Sequence, residues 1–280
     1  MIEIGKYQKL KIHKEKPQGI YLLNEDSAEE VLLPRAECGS ELSIGEYLEV
    51  FIYLDSEERE IATLQKPSLT LNTYASLKVK SNSSIGAFCE WGLPKDLLVP
   101  FHEQKEPMRE GKNYIVYMYL DELSDRLVGT TKLRRYLSVF ADQAIKVGEK
   151  VDALIYQETN IGYKAVINQK FSGLLYKNEL GDKNIQIGDK VEAYIKPIRK
   201  DKKIDLSINP LGYKNVVSNV DLILDALEEG NGFLPYNDKS SPEDIRKNFG
   251  ISKKVFKKII GVLYKQKQIL IEENGIKKIN

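Results

Sequence analysis

Apolar and polar side chains alternate in short runs along the first 210 residues. Val151-Asp152-Ala153-Leu154-Ile155-Tyr156 is largely alternating, the period of a strand with one face buried. Gly162 to Ile167, Phe171 to Tyr176, Val191 to Ile198 and Ile204 to Ile208 follow. Turn signals separate them at Glu158-Thr159-Asn160, at Asn168-Gln169-Lys170 and over 199–203. After Pro210 the period lengthens to that of a helix. Val220, Leu222, Ile223, Ala226 and Leu227 form one apolar face that ends at Gly230. Ser241 is placed to cap a short helix, with Pro242 in its first turn, Asp244 favouring its N-terminus and Gly250 as its stop. Ser252 caps a helix reaching about Lys267. Ile269-Leu270-Ile271 and Ile276 to Ile279 flank Asn274-Gly275, a hairpin signal. Helix, helix, basic helix and hairpin in this order predict a winged helix-turn-helix.

The strand-rich part repeats. From Gly19, Gly86 and Gly162, the next marked positions (Val31, Leu97, Gly173) lie 12, 11 and 11 residues on. Gly45, Gly111 and Gly188 come 14, 14 and 15 residues later, and Ile61, Leu127 and Ile204 stand 16 beyond those. Gly5 and Gly148 precede their anchors by 14 residues, whereas Asn72 breaks that mark in the middle unit. This is one supersecondary design used three times. Five short strands without a long helix fit a small closed barrel of the OB type. The predicted fold class is mainly β with a C-terminal α/β module: three tandem OB-fold barrels, then a winged helix-turn-helix. The expected boundaries are 1–66, 67–135, a linker helix over 136–146, 147–211, and a winged-helix domain over 215–280.

The units resemble the S1 RNA-binding domain. Gly86-Ala87-Phe88-Cys89 is similar to its strand-two motif Gly-Ala-Phe-Val, and Gly173-Leu174-Leu175-Tyr176 to its strand-three motif Gly-Leu-Val-His. Gly188-Asp189-Lys190-Val191 and Leu206-Ser207-Ile208 resemble its closing Gly-Asp-x-Val and Leu-Ser-Leu pattern. Three such units followed by a basic winged helix resemble the conserved virulence factor B family of bacterial RNA-binding proteins, over nearly the whole chain.

Single-stranded nucleic acid binds an OB barrel across strands two and three, with rings stacked on bases and cations along the phosphates. The resemblance places base-stacking groups at Phe88, Tyr21 and Tyr176. In the third unit Lys164 takes the strand-two aromatic position, and a one-residue bulge would instead turn Tyr163 outward. Pro34 and Pro100 replace the terminal His of strand three; Phe101 and His102 follow Pro100 as substitutes. Trp91, three residues after Phe88, falls on the opposite face.

Charge adds a direction. The net charge is only +1, but residues 1–66 carry −6, 67–145 +1, 146–214 +4 and 215–280 +2. A polyanion should prefer the back half. Arg134 and Arg135 suit a phosphate track, as do Lys253, Lys254, Lys257 and Lys258 on the outer side of the third helix. Residues 251–268 hold six lysines and no acid, a face suited to salt-sensitive backbone binding with little base readout.

Catalytic chemistry finds no motif. His13 and His102 are the only histidines, Cys38 and Cys89 lack metal-ligand spacing, and no phosphate loop or dinucleotide fingerprint occurs. We therefore expect a non-enzymatic protein with no cofactor or metal. Two thiols in separate units and the lack of a signal-peptide pattern suit the cytoplasm, and no apolar run is long enough for a membrane span. The expected partner is single-stranded RNA, in post-transcriptional regulation of gene expression. The alternatives are a DNA-binding regulator led by the winged helix, and a scaffold docking on the ribosome or polymerase.

Overall fold

The computed structural model describes residues 1–39, 42–180, 184–210 and 220–279. Two compact units result, Met1–Ile208 and Asn209–Asn280. Residues 215–219 of the expected winged-helix domain, and 211 at the end of the third barrel, lie outside the described residues.

The first unit holds three five-stranded sheets. Barrel one comprises β1 (Tyr7–Lys16), β2 (Gly19–Asn24), β3 (Glu29–Pro34), β4 (Tyr47–Leu54) and β5 (Glu60–Thr63), closed in the order β1-β2-β3-β5-β4. Barrel three repeats that order with β11 (Lys150–Glu158), β12 (Gly162–Ile167), β13 (Phe171–Tyr176), β14 (Lys190–Ile195) and β15 (Ile204–Ser207). Barrel two is built from β6 (Tyr74–Asn82), β7 (Gly86–Glu90), β8 (Leu97–Pro100), β9 (Asn113–Asp121) and β10 (Arg126–Thr130). It differs at one seam: β8 and β10 pack side by side without ladder hydrogen bonds among the described residues. Side chains close this ring. A Cβ on Gly129 would lie 2.8 Å from Val99 Cγ2, so the two strands already touch.

Two mechanical needs explain the glycine rhythm. Gly5, Gly45, Gly111, Gly148 and Gly188 all have φ between 75° and 102°, in turns that lead into strands. Asn72 adopts φ 64°, so the apparent break keeps the same left-handed turn with the residue type best able to replace glycine there. The anchors serve a different purpose. A Cβ on Gly19, Gly86 or Gly162 would sit 2.1, 2.3 or 2.2 Å from the carbonyl oxygen of Leu33, Val99 or Leu175. Strand two lies directly against strand three at that point. Gly162→Ala should therefore destabilise barrel three by about 1–3 kcal/mol, read as a lower urea midpoint. An unchanged midpoint would mean that strand three gives way without cost.

A further repeated contact went unread in the sequence. One-turn helices after the third strand place Glu37, Glu103 and Glu179 beside the end of the fifth. Thr63 Oγ1 donates to Glu37 at 2.7 Å and Ser207 Oγ to Glu179 at 3.1 Å, while Thr130 Oγ1 donates to the Glu103 carbonyl at 3.0 Å.

The barrels dock through aromatic side chains. Phe51 and Tyr53 of β4 pack edge-on against Trp91 at 5.9 and 6.4 Å. Lys95 and Arg126 of barrel two reach Glu58 of barrel one at 3.0 and 3.2 Å. One barrel further on, Tyr74 and Tyr117 meet Tyr136, Leu133 and Leu137, together with Leu154 and Val166 of barrel three. The Tyr117 and Tyr136 rings stack at 4.1 Å, and the Tyr74 amide donates to Gln169 Oε1 at 2.7 Å. Burial raises the Tyr74 phenol, whose buried oxygen has no hydrogen-bond partner, above its ordinary range.

The helix expected over 136–146 does not form. Leu133–Arg135 make a single 3₁₀ turn, Ser138 bridges to Phe171 beside β13, and turns lead on to β11. Two of the segment's apolar residues, Leu137 and Ile145, are buried in different clusters, one at the junction of barrels two and three and one in the barrel-three core, so the segment is drawn out instead of coiling on itself.

The second unit contains α1 (Val220–Glu229), β16 (Phe233–Leu234), α2 (Pro242–Phe249), α3 (Lys253–Lys265), β17 (Ile269–Glu272) and β18 (Gly275–Lys278). The caps read from the sequence form: Ser241 accepts from the Asp244 amide and Ser252 from the Val255 amide, at 3.1 and 3.3 Å. Gly250 ends α2 in the left-handed conformation, φ 68°. Phe256, Ile259, Ile260 and Leu263 of α3 are buried with Ile223, Leu227, Ile245 and Ile276. The two-residue β16, which pairs with β18, had no sequence signal of its own.

Candidate nucleic-acid interface

Register decides which side chains share the outer face of each barrel. Each first strand carries a bulge at the same place, between Ile12 and Lys14, Val79 and Ser81, and Ile155 and Gln157. Beyond it the outward rows are Lys14–Tyr21–Leu32, Ser81–Phe88–Leu98 and Gln157–Lys164–Leu174. Lys164 therefore occupies the position of Phe88 and Tyr21. The bulge that would have turned Tyr163 outward is absent from β12, whose pairing with β13 is continuous. Tyr163 instead packs against the barrel-three core, with the Lys177 ammonium 5.8 Å from its ring centre.

On barrel one, Tyr21 is half-buried between Lys14 and Lys16, at 5.2 and 5.0 Å from its ring centre. Glu30 neutralises Lys14, Glu25 neutralises Lys11, and Glu15 neutralises Arg35. The lysines that frame the ring thus belong to a surface rich in paired carboxylates.

On barrel two, Phe88 lines a cleft of about 210 Å³ with Ile85, Leu98 and Leu127. Barrel one's Tyr53, Leu54 and Glu58 form the other wall, so Phe88 faces a walled, mainly apolar cleft and not a flat platform. Its rim is balanced: Glu58 holds Lys95 and Arg126, and Asp96 holds Lys80 at 3.1 Å. Phe101 and His102 stand exposed on the turn after β8 and are not among the residues lining this cleft. Arg135, though exposed, pairs with the buried Glu103 at 3.1 Å.

Barrel three carries a larger cleft of about 430 Å³. Its floor is apolar, from Leu137, Val139, Ile161, Leu174 and Ile204. Arg134, Lys164, Arg199 and Lys203 supply cations around it. Arg199 lies 3.1 Å from Asp201 and 3.8 Å from Asp205, and Lys203 3.3 Å from Asp201. Arg134 and Lys164 have no ion pair among the described residues. Tyr156, the residue bulged out of β11, hydrogen-bonds Ser172 across the cleft at 2.8 Å. Burial raises its phenol above the ordinary range, so it stays a neutral hydrogen-bonding group. Tyr176 lies beside this cleft: its hydroxyl reaches Asp205 at 3.3 Å, and the Lys196 ammonium is 5.8 Å from its ring centre.

In the second unit, Lys254, Lys257 and Lys258 are exposed on α3 and Lys253 is half-buried. Lys257 pairs with Asp238 at 3.5 Å. Elsewhere, burial pushes the Cys89 thiol up to about 12, so it remains protonated at neutral pH. No helix among the described residues is long and apolar enough to cross a membrane.

Repeated five-stranded barrels followed by a three-helix module with a β hairpin define a tandem S1-type protein with a C-terminal winged helix. Residues 4–65 match the S1 domain family and residues 221–277 the CvfB-like winged helix domain. Conserved virulence factor B of Staphylococcus saprophyticus is 30% identical over 267 residues, covering 91% of this chain and 88% of that protein. The protein of the same name from Staphylococcus aureus is 29% identical over 265 residues, with the same coverage. The chain belongs to the conserved virulence factor B family. A multidomain protein with nucleic acid binding domains from Streptococcus pneumoniae, of known structure, aligns over 99% of this chain and 98% of its own, at 22% identity and a TM-score of 0.41.

Proposed function

We propose that this chain binds single-stranded RNA, centred on the outer face of barrel three, and acts in post-transcriptional control of gene expression in the cytoplasm, without catalysis or a cofactor. The observation that carries the reading is the barrel-three cleft. It joins an apolar floor to cations, two of which have no carboxylate partner. Apolar surface receives base faces and cations hold phosphates, the combination that single strands require. Lys164 stands where barrel two has Phe88, so this barrel exchanges one stacking contact for a phosphate contact. Phe88 offers a second ring within its narrower cleft, and the α3 lysines offer further phosphate contacts.

The α3 lysine face also favours a second reading, duplex DNA bound by the winged helix. Titrations of the full chain with single-stranded RNA, single-stranded DNA and duplex DNA at two salt concentrations separate the two. The RNA reading expects single strands to bind more tightly than duplex, with affinity falling steeply as salt rises. Preference for duplex DNA would overturn it. Little affinity for any nucleic acid at low salt would point to a docking scaffold for the ribosome or polymerase.

A further inference from the structure

The clefts on barrels two and three occupy the same outer face of the same fold, and each is walled by a neighbouring segment. Barrel one's β4–β5 hairpin contributes Leu54 and Glu58 to the first cleft. The linker contributes Arg134, Leu137 and Val139 to the second. Their charges differ. Around the first, the cations Lys95 and Arg126 share the carboxylate of Glu58, and Asp96 is a second acid in the lining. Around the second, four cations face two carboxylates, Asp201 and Asp205, leaving two formal positive charges in surplus. The surplus therefore comes from Lys164 of barrel three and Arg134 of the preceding segment, and not from the fold that the barrels share.

A cleft of about 430 Å³ falls in the size range of small-ligand sites, the scale of a single nucleotide. An internal phosphodiester brings one negative charge. A phosphomonoester brings about −1.5 to −2 near neutral pH, with a second pKa of about 6. Arg134 and Lys164, on separate segments and without an ion pair among the described residues, match such a group, and the apolar floor beside them matches the terminal base.

We propose that this cleft receives the phosphorylated end of an RNA strand: a terminal nucleotide with its base on the floor of Leu137, Val139 and Leu174 and its phosphomonoester between Arg134 and Lys164. The proposal rests on the RNA reading above and deepens it. The shared chemistry is the terminal phosphomonoester, which either end of a strand can carry.

The test uses the full chain and three versions of one short single-stranded RNA, internally labelled. One carries a 5′-phosphate, one a 3′-phosphate, and one hydroxyl groups at both ends. One phosphorylated version is expected to bind about tenfold more tightly than the hydroxyl version, a gain of about 1.4 kcal/mol, and which one identifies the end recognised. The ratio should fall towards one below about pH 6, as the phosphomonoester gains a proton. Arg134→Gln or Lys164→Gln should also bring the ratio towards one. Both side chains lie on the outer face, and thermal melting would confirm that each variant folds. Equal affinity for all three RNAs would overturn the end-recognition site and leave the RNA reading standing. Failure to bind any of the three would overturn the RNA reading itself.

Discussion

Replacing Arg134 and Lys164 together by glutamate is expected to weaken binding of single-stranded RNA about a hundredfold near 0.1 M salt, on the order of 2.7 kcal/mol. Each side chain lines the barrel-three cleft and has no carboxylate partner among the described residues, so each is available to a phosphate at no cost in broken ion pairs there. Reversal removes two attractions and adds two repulsions. The salt dependence carries separate information. Each lost phosphate contact on a single strand flattens the plot of log affinity against log salt by about 0.7, so the double variant should lose about 1.4 in slope. Fluorescence anisotropy at several salt concentrations measures both. Arg135→Glu is the contrasting variant: Arg135 pairs with the buried Glu103, so its reversal should lower stability more than it changes the slope. A double variant with unchanged affinity and slope would place the RNA on another face.

Phe51→Ala is expected to destabilise the first unit by about 3–5 kcal/mol. Phe51 is fully buried, with its ring 5.2 Å from Tyr7 and 5.9 Å from Trp91. It belongs to barrel one but packs in the cluster that forms barrel two's core. Truncation leaves a cavity between two barrels, where relaxation means sliding one past the other. The chain has a single tryptophan, so its emission reports on this junction alone. Trp91 should shift to the red in the variant as water reaches the indole, while Phe51→Leu should retain most of both signals. Lost stability without a red shift would mean that the junction holds and the damage is confined to barrel one.

The turns and the succession of strands in the barrels could be read from spacing because the positions that mark them depend on single residues. A left-handed turn needs glycine or asparagine, and close approach of two strands needs glycine; both recur at fixed offsets. The caps at Ser241 and Ser252 are equally local. The linker misled because Leu137 and Ile145 suit a helix as well as an extended segment, and two separate clusters, one at the junction of barrels two and three and one in the barrel-three core, decided the matter. The site was legible only in part. Lys164 could be placed at the strand-two position, but its orientation depends on a bulge that lies in β11, a strand away. The capture of Arg135 by Glu103 joins residues 32 positions apart. Glu37, Glu103 and Glu179 did carry a signal, each three residues beyond the end of the third strand, but acidic residues near turns are ordinarily explained by solvation. Tyr156 left no mark, because a bulged residue departs from the alternation used to find strands.

The aromatic junctions have a consequence for binding at more than one barrel. Phe51 and Tyr53 fix barrel two on barrel one, and Tyr117 with Tyr136 fixes barrel three on barrel two. Contacts on successive barrels are then held at set separations before any ligand arrives. On the RNA reading proposed above, a strand held in the barrel-three cleft would meet the Phe88 cleft at an effective concentration set by this rigid spacing instead of by the sweep of a flexible tether. A strand of matching length would gain from both contacts, and one too short to span them from a single site. The packing between barrels would thus measure length, a property that no individual barrel possesses.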